Sequence, residues 1–355
     1  MIVRRGRGPV RGEVGQAPAP SVSSVPRAVP ELRPARAHEA EPTLRVGVSS
    51  CLLGAQVRFD GGHKHDRFLT ELLGRYVEWV PVCPELEVGM GVPREAVRLV
   101  GTPEAPRMVG ARTGSDHTDA MRRFAAARVR TLAALDLSGF VFKKDSPSCG
   151  MERVRVYKAR GMPSRRGRGL FAAAFMEAFP LIPVEEEGRL NDPVLRENFI
   201  ERVFCYRRWR SLLAAGPTRG SLVAFHTAHK LVLLAHSPRH YTSLGRLVGG
   251  RADGRAAALA CRYGRLFMDA LAVPATVKKH VNVLQHVAGF CREHLGAAER
   301  GELAGVIEDY RQGLVPLIVP ITLLRHHVTR HAIAYVQGQI YLSPHPKELM
   351  LRNHV

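Results

Sequence analysis

Short apolar runs alternate with helical stretches between residues 44 and 187, and this alternation limits the possible folds more than any other feature of the chain. Runs rich in β-branched and aromatic residues predict buried strands: LRVGVSS (44–50), YVEWVPV (76–82), LSGFVFK (137–143) and, as a shorter candidate, LIPV (181–184). Three helical stretches lie between them: DRFLTELLGRY (66–76), TDAMRRFAAARVRTLAAL (118–135), whose apolar residues recur at three- and four-residue steps, and GLFAAAFMEAF (169–179). Strands that alternate with helices predict a mostly parallel sheet covered on both faces.

The pattern changes at GRLNDP (188–193), where Asp192 is placed to cap a helix and Pro193 suits its first turn. From residue 194 onward the apolar spacing is helical, and it predicts a bundle of about six helices. Residues 1–43 are rich in Pro, Ala, Ser and Arg without periodicity, which predicts disorder. We therefore expect a basic disordered tail at 1–43, a Rossmann-like α/β domain at 44–187 and an all-α domain at 188–355.

The chain carries a formal net charge of +20, and most of the excess lies in the predicted helical domain. Residues 188–355 hold 23 basic and 11 acidic side chains, a net charge of +12, against +5 for residues 44–187 and +3 for the tail. Such a field attracts polyanions, so tRNA or another RNA is a candidate partner. Because no block of Lys and Arg alone occurs, solvated faces of an arginine-rich chain explain the charge equally well.

Cysteine content and hydropathy indicate a cytoplasmic protein with reduced thiols and no membrane partner. Six cysteines in 355 residues are too few for a disulfide scaffold. The first residues, MIVRRGRGPVRGEV, lack the apolar core of a signal peptide. The longest apolar run, LVPLIVPITLL (314–324), is too short to span a bilayer.

Three of the six cysteines occupy equivalent places in the predicted sheet. Cys51 follows LRVGVSS, Cys83 follows WVPV, and Cys149 lies in the turn DSPSCG after FVFKK. Because the carboxyl ends of parallel strands line the ligand crevice of an open α/β sheet, we expect these thiols to converge on one site. A structural zinc ion normally takes four ligands in CxxC pairs, which are missing here, whereas an iron–sulfur cluster with three cysteine ligands keeps one iron open. Three unrelated buried cysteines are the alternative.

Around the same cysteines, three stretches resemble the family of the thiouracil desulfidases: CLLGAQVRFDGGHKHD (51–66), VPVCPELEVGMGVPREAVRLV (80–100) and KKDSPSCGMERVRVY (143–157). This resemblance covers about residues 44–187. FHTAHKLVLLAHSPRHYTSLGRLVG (225–249) and YLSPHPKELMLRNHV (341–355) resemble the helical domain of the two-domain YbgA-like proteins. For that domain the resemblance implies no activity.

The resemblance to the desulfidases implies a 4Fe-4S cluster held by Cys51, Cys83 and Cys149, with one open iron that takes sulfur from a thiocarbonyl. A C=S sulfur is soft and suits iron, which withdraws electron density from the carbon. Water then attacks this carbon, and the sulfur finally leaves as hydrogen sulfide. The resemblance thus implies a reaction without net electron transfer.

Five further residues beside these motifs are candidate site residues. Glu85 is our candidate for the general base that takes the proton of water, with capping of the following turn as its structural alternative. Ser146 and Ser148 are candidate donors to the substrate or to cluster sulfides, although turn formation explains either one alone. Arg58 and Asp60 are candidates for substrate binding, and a buried structural ion pair is an equally good explanation.

The predicted helical domain contains 12 of the 16 histidines. His226 and His229 are one helical turn apart, as are His327 and His331, but no carboxylate stands at a metal-site spacing such as HExxH, so we expect solvated or capping histidines.

Trp209, within RRWR, is a candidate to stack on a base, or the segment is an exposed helix face. The remaining cysteines are expected to fill the core or an interface: Cys205, Cys261 and Cys291.

Two functions from different classes follow from these observations. The first is a cluster-dependent, non-redox desulfidase acting on a thiolated pyrimidine base or nucleoside, free or within RNA. The second is a nucleic-acid-binding protein in which the cluster is structural or senses redox state. In either case the helical domain is expected to hold an RNA strand, or to serve as a homo-oligomerisation or partner-docking module.

Overall fold

The computed structural model describes residues 44–250 and 256–354. The tail predicted to be disordered, residues 1–43, therefore lies outside the described residues. The described chain forms an α/β part that is followed by a helical part, and the two belong to one compact unit. This order of elements confirms the predicted fold class.

The first sheet has four strands, of which three coincide with predicted apolar runs and the fourth begins only at Val184, the last residue of the shorter candidate LIPV. These are β1 (Arg45–Ser49), β2 (Glu78–Val82), β5 (Gly139–Phe142) and β8 (Val184–Glu186). They pair in the order β2-β1-β5-β8, and every pair is parallel. The predicted parallel sheet is thus confirmed, and the carboxyl ends of its strands lie along one edge.

A second sheet was not predicted. Its strands are β3 (Val97–Gly101), β4 (Pro106–Gly110), β6 (Val154–Tyr157) and β7 (Ser164–Gly167), in the order β4-β3-β6-β7. The central pair is parallel and both outer pairs are antiparallel. These strands are short and carry arginines on an exposed face, for example Arg98 and Arg155, so they lack a long apolar run.

Three helices belong to the α/β part: α1 (Pro84–Glu87), α2 (Thr118–Ala133) and α3 (Leu170–Ala178). Two of them, α2 and α3, coincide with predicted helical stretches. The third such stretch, DRFLTELLGRY, forms only single turns at Phe68–Leu72 and Leu73–Arg75. Another single turn, Ser50–Leu53, follows β1 directly and contains the first cysteine.

The described helical part begins where the sequence predicts, since the Asp192 carboxylate accepts hydrogen bonds from the N–H groups of Val194 (2.9 Å) and Leu195 (3.1 Å). It contains eight helices where about six are predicted, because the segment after the Ser237-Pro238 break is itself helical and a separate short helix, Ala334–Gln337, follows the last long one. Its elements are α4 (Pro193–Ala214), α5 (Arg219–His236), α6 (Pro238–Gly249), α7 (Ala256–Ala272), α8 (Val277–Cys291), α9 (Ala297–Arg311), α10 (Ile318–Arg330) and the short α11 (Ala334–Gln337).

Helix α4 connects the two parts through the core. Its residues Phe199, Ile200 and Val203 are buried in one apolar cluster with Val46 and Val48 of β1. The helical part therefore covers one face of the first sheet. Among the described residues, no helix is both long and apolar enough to cross a membrane.

Candidate functional site

The structure brings the three predicted cysteines together at the carboxyl edge of the first sheet. Cys51 lies in the helical turn after β1, Cys83 directly follows β2, and Cys149 lies in the turn after β5. All three line one cleft with a volume of about 340 Å³. This volume is at the lower end of the ~300–1,000 Å³ typical of small-molecule sites.

The turn around Cys149 also caps a helix. The carbonyls of Pro147 and Ser148 accept hydrogen bonds from the N–H groups of Leu170 (3.1 Å) and Phe171 (3.0 Å) at the start of α3. The Ser146 hydroxyl accepts from the N–H of Cys149 at 3.1 Å and so closes the turn from inside. The Ser-Pro sequence thus forms a rigid turn that fixes Cys149 at the edge of the cleft.

Glu85 lies in the same cleft and is held by hydrogen bonds at both carboxylate oxygens. Its Oε1 accepts from the Ser148 hydroxyl at 2.7 Å and from the Ser146 hydroxyl at 3.5 Å. The capping role considered for Glu85 belongs to Glu87, whose Oε1 accepts from the N–H of Cys83 at 2.9 Å. Glu85 therefore faces the cleft and does not cap the turn.

Arg94 holds the other side of Glu85 and was missed by sequence reasoning. Its Nη2 and Nε lie 2.5 and 3.2 Å from Glu85 Oε2, and its Nη1 donates to the carbonyls of Val57 (3.0 Å) and Gly91 (2.9 Å). The side chains of Arg94 and Glu85 are only 6% and 13% exposed. The one feature of the sequence that could have pointed to Arg94 is its position in GVPREAV, within the second of the three stretches that resemble the desulfidases.

The thiols of the cleft are strongly affected by burial. Burial raises the pKa of Cys51 to about 11, although the charge of Lys143 opposes this effect. Burial likewise raises the pKa of Cys83 and of Cys149, against a hydrogen bond between Cys149 and the Ser49 hydroxyl. The thiols are thus protonated near neutral pH, and any metal that binds them must displace protons.

Lys143 is a second charged residue of the cleft that the sequence analysis did not identify. Its ammonium group pairs with Glu187 Oε1 at 2.6 Å. Its backbone N–H donates to the Ser49 hydroxyl at 2.9 Å. Glu187 follows β8, so the position of Lys143 depends on three strands of the sheet. It supplies positive charge next to Cys51.

Arg58 and Asp60 are close to each other, but only Arg58 lines the cleft. Their closest side-chain atoms, Arg58 Nε and Asp60 Oδ1, are 3.4 Å apart, and the side chains are 23% and 48% exposed. A hydrogen bond from the N–H of Gly62 (3.0 Å), together with the Arg58 guanidinium, holds the pKa of the Asp60 carboxyl below its usual value. The pair is therefore not buried, and Asp60 orients Arg58 from outside the cleft.

The helical part differs from the sequence prediction at its histidines and at Trp209. His226, His229 and His327 are 2–3% exposed and are not solvated. The reason is aromatic packing: His229 stacks on Phe225 with a centroid distance of 4.0 Å, and burial lowers its pKa to about 3.

Trp209 is 1% exposed and is unable to stack on a base. Of the remaining cysteines, Cys205 and Cys291 are buried, whereas Cys261 is exposed.

Comparisons with known proteins match two separate ranges of the chain. Residues 46–187 match the family model described as 2-thiouracil desulfurase, and residues 230–346 match that of a protein family of unknown function, DUF1722. The chain is 34% identical over 153 residues to the uncharacterized protein YbgA of Escherichia coli (strain K12). This match covers 43% of the chain and 90% of YbgA. The chain is also 31% identical over 150 residues to the uncharacterized protein YbbK of Bacillus subtilis (strain 168). This second match covers 41% of the chain and 97% of YbbK.

Among solved structures, the chain is similar to the 4Fe-4S-dependent thiouracil desulfidase TudS. The two are 28% identical with a TM-score of 0.36, and the match covers 42% of this chain and 95% of the other. Membership of a family follows from the sequence relatives, since the chain spans at least 90% of YbgA and of YbbK at more than 30% identity. The chain belongs to the 2-thiouracil desulfurase family, and its helical part is a DUF1722 domain like that of YbgA.

Proposed function

We propose that this protein is a cluster-dependent, non-redox desulfidase that converts the thiocarbonyl of a thiolated pyrimidine into a carbonyl and releases hydrogen sulfide. The observation that carries the proposal is the cleft in which Cys51, Cys83 and Cys149 lie beside the hydrogen-bonded pair of Glu85 and Ser148. Membership of the 2-thiouracil desulfurase family supports the same reaction class.

The side chains of the cleft fit a 4Fe-4S cluster held by Cys51, Cys83 and Cys149. Thiolates are the ligands that iron–sulfur clusters take, and Lys143 lies where its charge stabilises them. Within residues 44–250 and 256–354, no three His, Cys, Asp or Glu side chains are grouped to hold a single metal ion. The ligands of a 4Fe-4S cluster need not be grouped as closely as those of a single metal ion, because they surround four irons and four sulfides. When bound, it would supply an open iron, a Lewis acid suited to a soft sulfur.

Glu85 is our proposed general base, which takes the proton of the water that attacks the thiocarbonyl carbon. Its Oε1 is the oxygen that lies next to Ser146 and Ser148, while Arg94 holds Oε2 in place. The two hydroxyls donate their single protons to Oε1 and so orient it, which leaves their own oxygens to accept a hydrogen bond from the substrate. Arg58 lines the same cleft and is the candidate to bind a substrate oxygen or nitrogen. Water supplies one oxygen to the carbon and two protons to the departing sulfide, so no electron is gained or lost.

The proposal is tested with protein purified anaerobically, on which iron and acid-labile sulfide are counted before assay. We expect four irons per chain and the conversion of thiouracil into uracil with one hydrogen sulfide per turnover. If a protein with full iron content leaves both free thiouracil and thiolated RNA unchanged, the proposed reaction is wrong.

A second candidate function is supported by charge alone. The helical part has a net charge of +12, as expected for a protein that contacts phosphates, and the cluster would then be structural or redox-sensing. RNA binding that weakens steeply with salt, without any sulfide release, favours this function. Salt-dependent binding together with sulfide release from thiolated RNA favours a desulfidase whose helical part holds the strand. If the helical part serves only to form oligomers, the full chain should not bind RNA.

A further inference from the structure

The second sheet has one buried face and one exposed face. Leu99 of β3 and Val156 of β6 are fully buried, and they belong to the same apolar cluster as Phe171 of α3. Because side chains alternate across a strand, the residues next to them point away from this core. Arg98 and Arg155 are such residues, and both are exposed. One face of the sheet is therefore accessible to a partner.

Three neighbouring strands place arginines side by side on this exposed face. The parallel register of β3 and β6 sets Arg98 beside Arg155. A bulge in the pairing of β6 with β7 sets two further exposed residues, Arg165 and Arg166, against Arg155. Since adjacent strands are about 4.8 Å apart, the four residues form a continuous band of positive charge, which we call the arginine row.

The charges of the arginine row are not balanced within the sheet. The strands that carry the row, β3, β6 and β7, contain no Asp or Glu. None of the ion pairs between described residues includes an arginine of the row. By contrast, Arg107 of β4 pairs with Asp116 at 3.3 Å. Like charges at neighbouring positions of a sheet are destabilising, and a polyanionic partner would offset this repulsion.

Tyr157 holds one arginine of the row in place. It follows Arg155 by two residues, so it lies on the same face of β6, and its side chain is half-buried. The guanidinium carbon of Arg98 lies 5.4 Å from the centre of the tyrosine ring. Such stacking fixes the plane of the guanidinium while its N–H groups point outward from the ring. Arg98 is thus prepared to bind a phosphate with two hydrogen bonds.

The arginine row begins next to the cysteine cleft. Ala96 and Val97 line the cleft at the start of β3, and Arg98 follows them directly. Because a strand rises about 3.3 Å per residue, the Cα atoms of Ala96 and Arg98 are about 7 Å apart. The other central strand, β6, begins shortly after Cys149, which also lines the cleft. A chain bound along the row therefore passes close to the cleft.

We infer that the arginine row binds the phosphate backbone of a single-stranded RNA segment whose thiolated base enters the cysteine cleft. The inference rests on the proposed function and adds to it the class of substrate, a thiolated nucleotide within RNA. A base has to leave its stack to enter a cleft, and in an unpaired segment this costs least. The neighbouring arginines match the successive negative charges of such a backbone. The RNA contact next to the reacting base is thereby assigned to the α/β part.

The inference is tested on the full chain by the fluorescence anisotropy of a labelled single-stranded RNA that contains one thiolated uridine. The row variant combines Arg98→Gln, Arg155→Gln and Arg166→Gln. The control variant loses the same charge from exposed positions of α2, which packs on the buried face of the sheet: Arg122→Gln, Arg123→Gln and Arg130→Gln. The row variant should bind RNA about tenfold more weakly or worse. The slope of log affinity against log salt should fall by about 0.7 for each lost phosphate contact, and the control variant should behave like the parent.

Free thiouracil separates this inference from the proposed function. With full iron content, the row variant should desulfurate free thiouracil like the parent, while its kcat/KM for the thiolated RNA falls. Its thermal midpoint should be unchanged or higher, because neighbouring like charges have been removed. If the triple variant does not fold, Arg155→Gln alone, at the centre of the row, gives the same comparison with the loss of one contact.

Equal RNA affinity of the row and control variants would overturn the inference, whether or not the parent desulfurates free thiouracil. So would a row variant that binds RNA normally but no longer binds vesicles of phosphatidylserine and phosphatidylcholine, since the row would then bind a membrane surface. RNA binding that depends on the row, in a parent that leaves both thiouracil and thiolated RNA unchanged, would support the RNA contact and contradict only the proposed reaction.

Discussion

At the residue scale, the carboxylate of Glu85 has two different environments. Arg94 holds Oε2 from one side, while the hydroxyls of Ser146 and Ser148 meet Oε1 from the other. This arrangement fixes the direction of the lone pairs on Oε1 without blocking the cleft. A general base needs such a fixed direction, since proton transfer depends on hydrogen-bond geometry before it depends on pKa.

Glu85→Gln keeps the shape of the side chain but removes its ability to accept a proton. We expect the variant to assemble its cluster with unchanged iron content, while sulfide release from a thiolated pyrimidine falls by about 100-fold or more. Glu104→Gln, at an exposed position between β3 and β4, is the matched control and should be fully active. Full turnover by Glu85→Gln would mean that another group performs the proton transfer.

The cysteines allow an equally direct comparison. Because three thiolates are the minimum that holds the cluster, a serine at any of Cys51, Cys83 or Cys149 should abolish the brown chromophore. Cys261→Ser is the matched control, since this thiol is exposed and outside the cleft. Alanine at the buried Cys205 and Cys291 should likewise spare the cluster. Equal iron content in all six variants would contradict the assignment of ligands.

At the element scale, the first sheet could be predicted and the second could not. The two inner strands of the first sheet, β1 and β5, are buried along almost their whole length because both faces are covered, and this produces clear apolar runs, whereas β8 (Val-Glu-Glu) carries no such run. The positions of the three cysteines followed from the ends of those runs. Arg94 and Lys143 could not be placed, because their side chains reach the cleft through contacts with residues distant in sequence, such as Glu85 and Glu187. The burial of His229 was missed for the same reason.

The packing of α3 on the cysteine turn gives a prediction about an element. A Cβ at Gly169 would lie 2.5 Å from the carbonyl carbon and oxygen of Ser148. Gly169→Ala should therefore displace the turn that carries Cys149, with a loss of about 1–3 kcal/mol in the free energy of unfolding and reduced iron content. In Gly289→Ala, the added Cβ meets no atom within 4 Å, so this helical control should be as stable as the parent or more stable. Full iron content and stability in Gly169→Ala would show that the turn adjusts freely.

At the scale of the whole molecule, the α/β part and the helical part share a core. Phe199 and Val203 of α4 are buried against β1, and Leu349 and Leu351 near the carboxyl end belong to the same apolar cluster. A chain shortened after Gly188 would expose this face of the sheet to water. The role of the helical part in RNA binding is therefore better tested on the full chain, by the salt dependence of binding, than on fragments.

The shared core predicts that cluster and helices are lost together on heating. Phe199→Ala removes a side chain that is 1% exposed in this core, so it should lower the free energy of unfolding by about 3–5 kcal/mol. The thermal midpoint is measured twice on the same sample, by cluster absorbance and by far-ultraviolet circular dichroism, and both should fall by the same amount. Val194→Ala, at a 44% exposed position of the same helix, should change neither. Two separate transitions, with the cluster unaffected by Phe199→Ala, would mean that the α/β part is stable without α4.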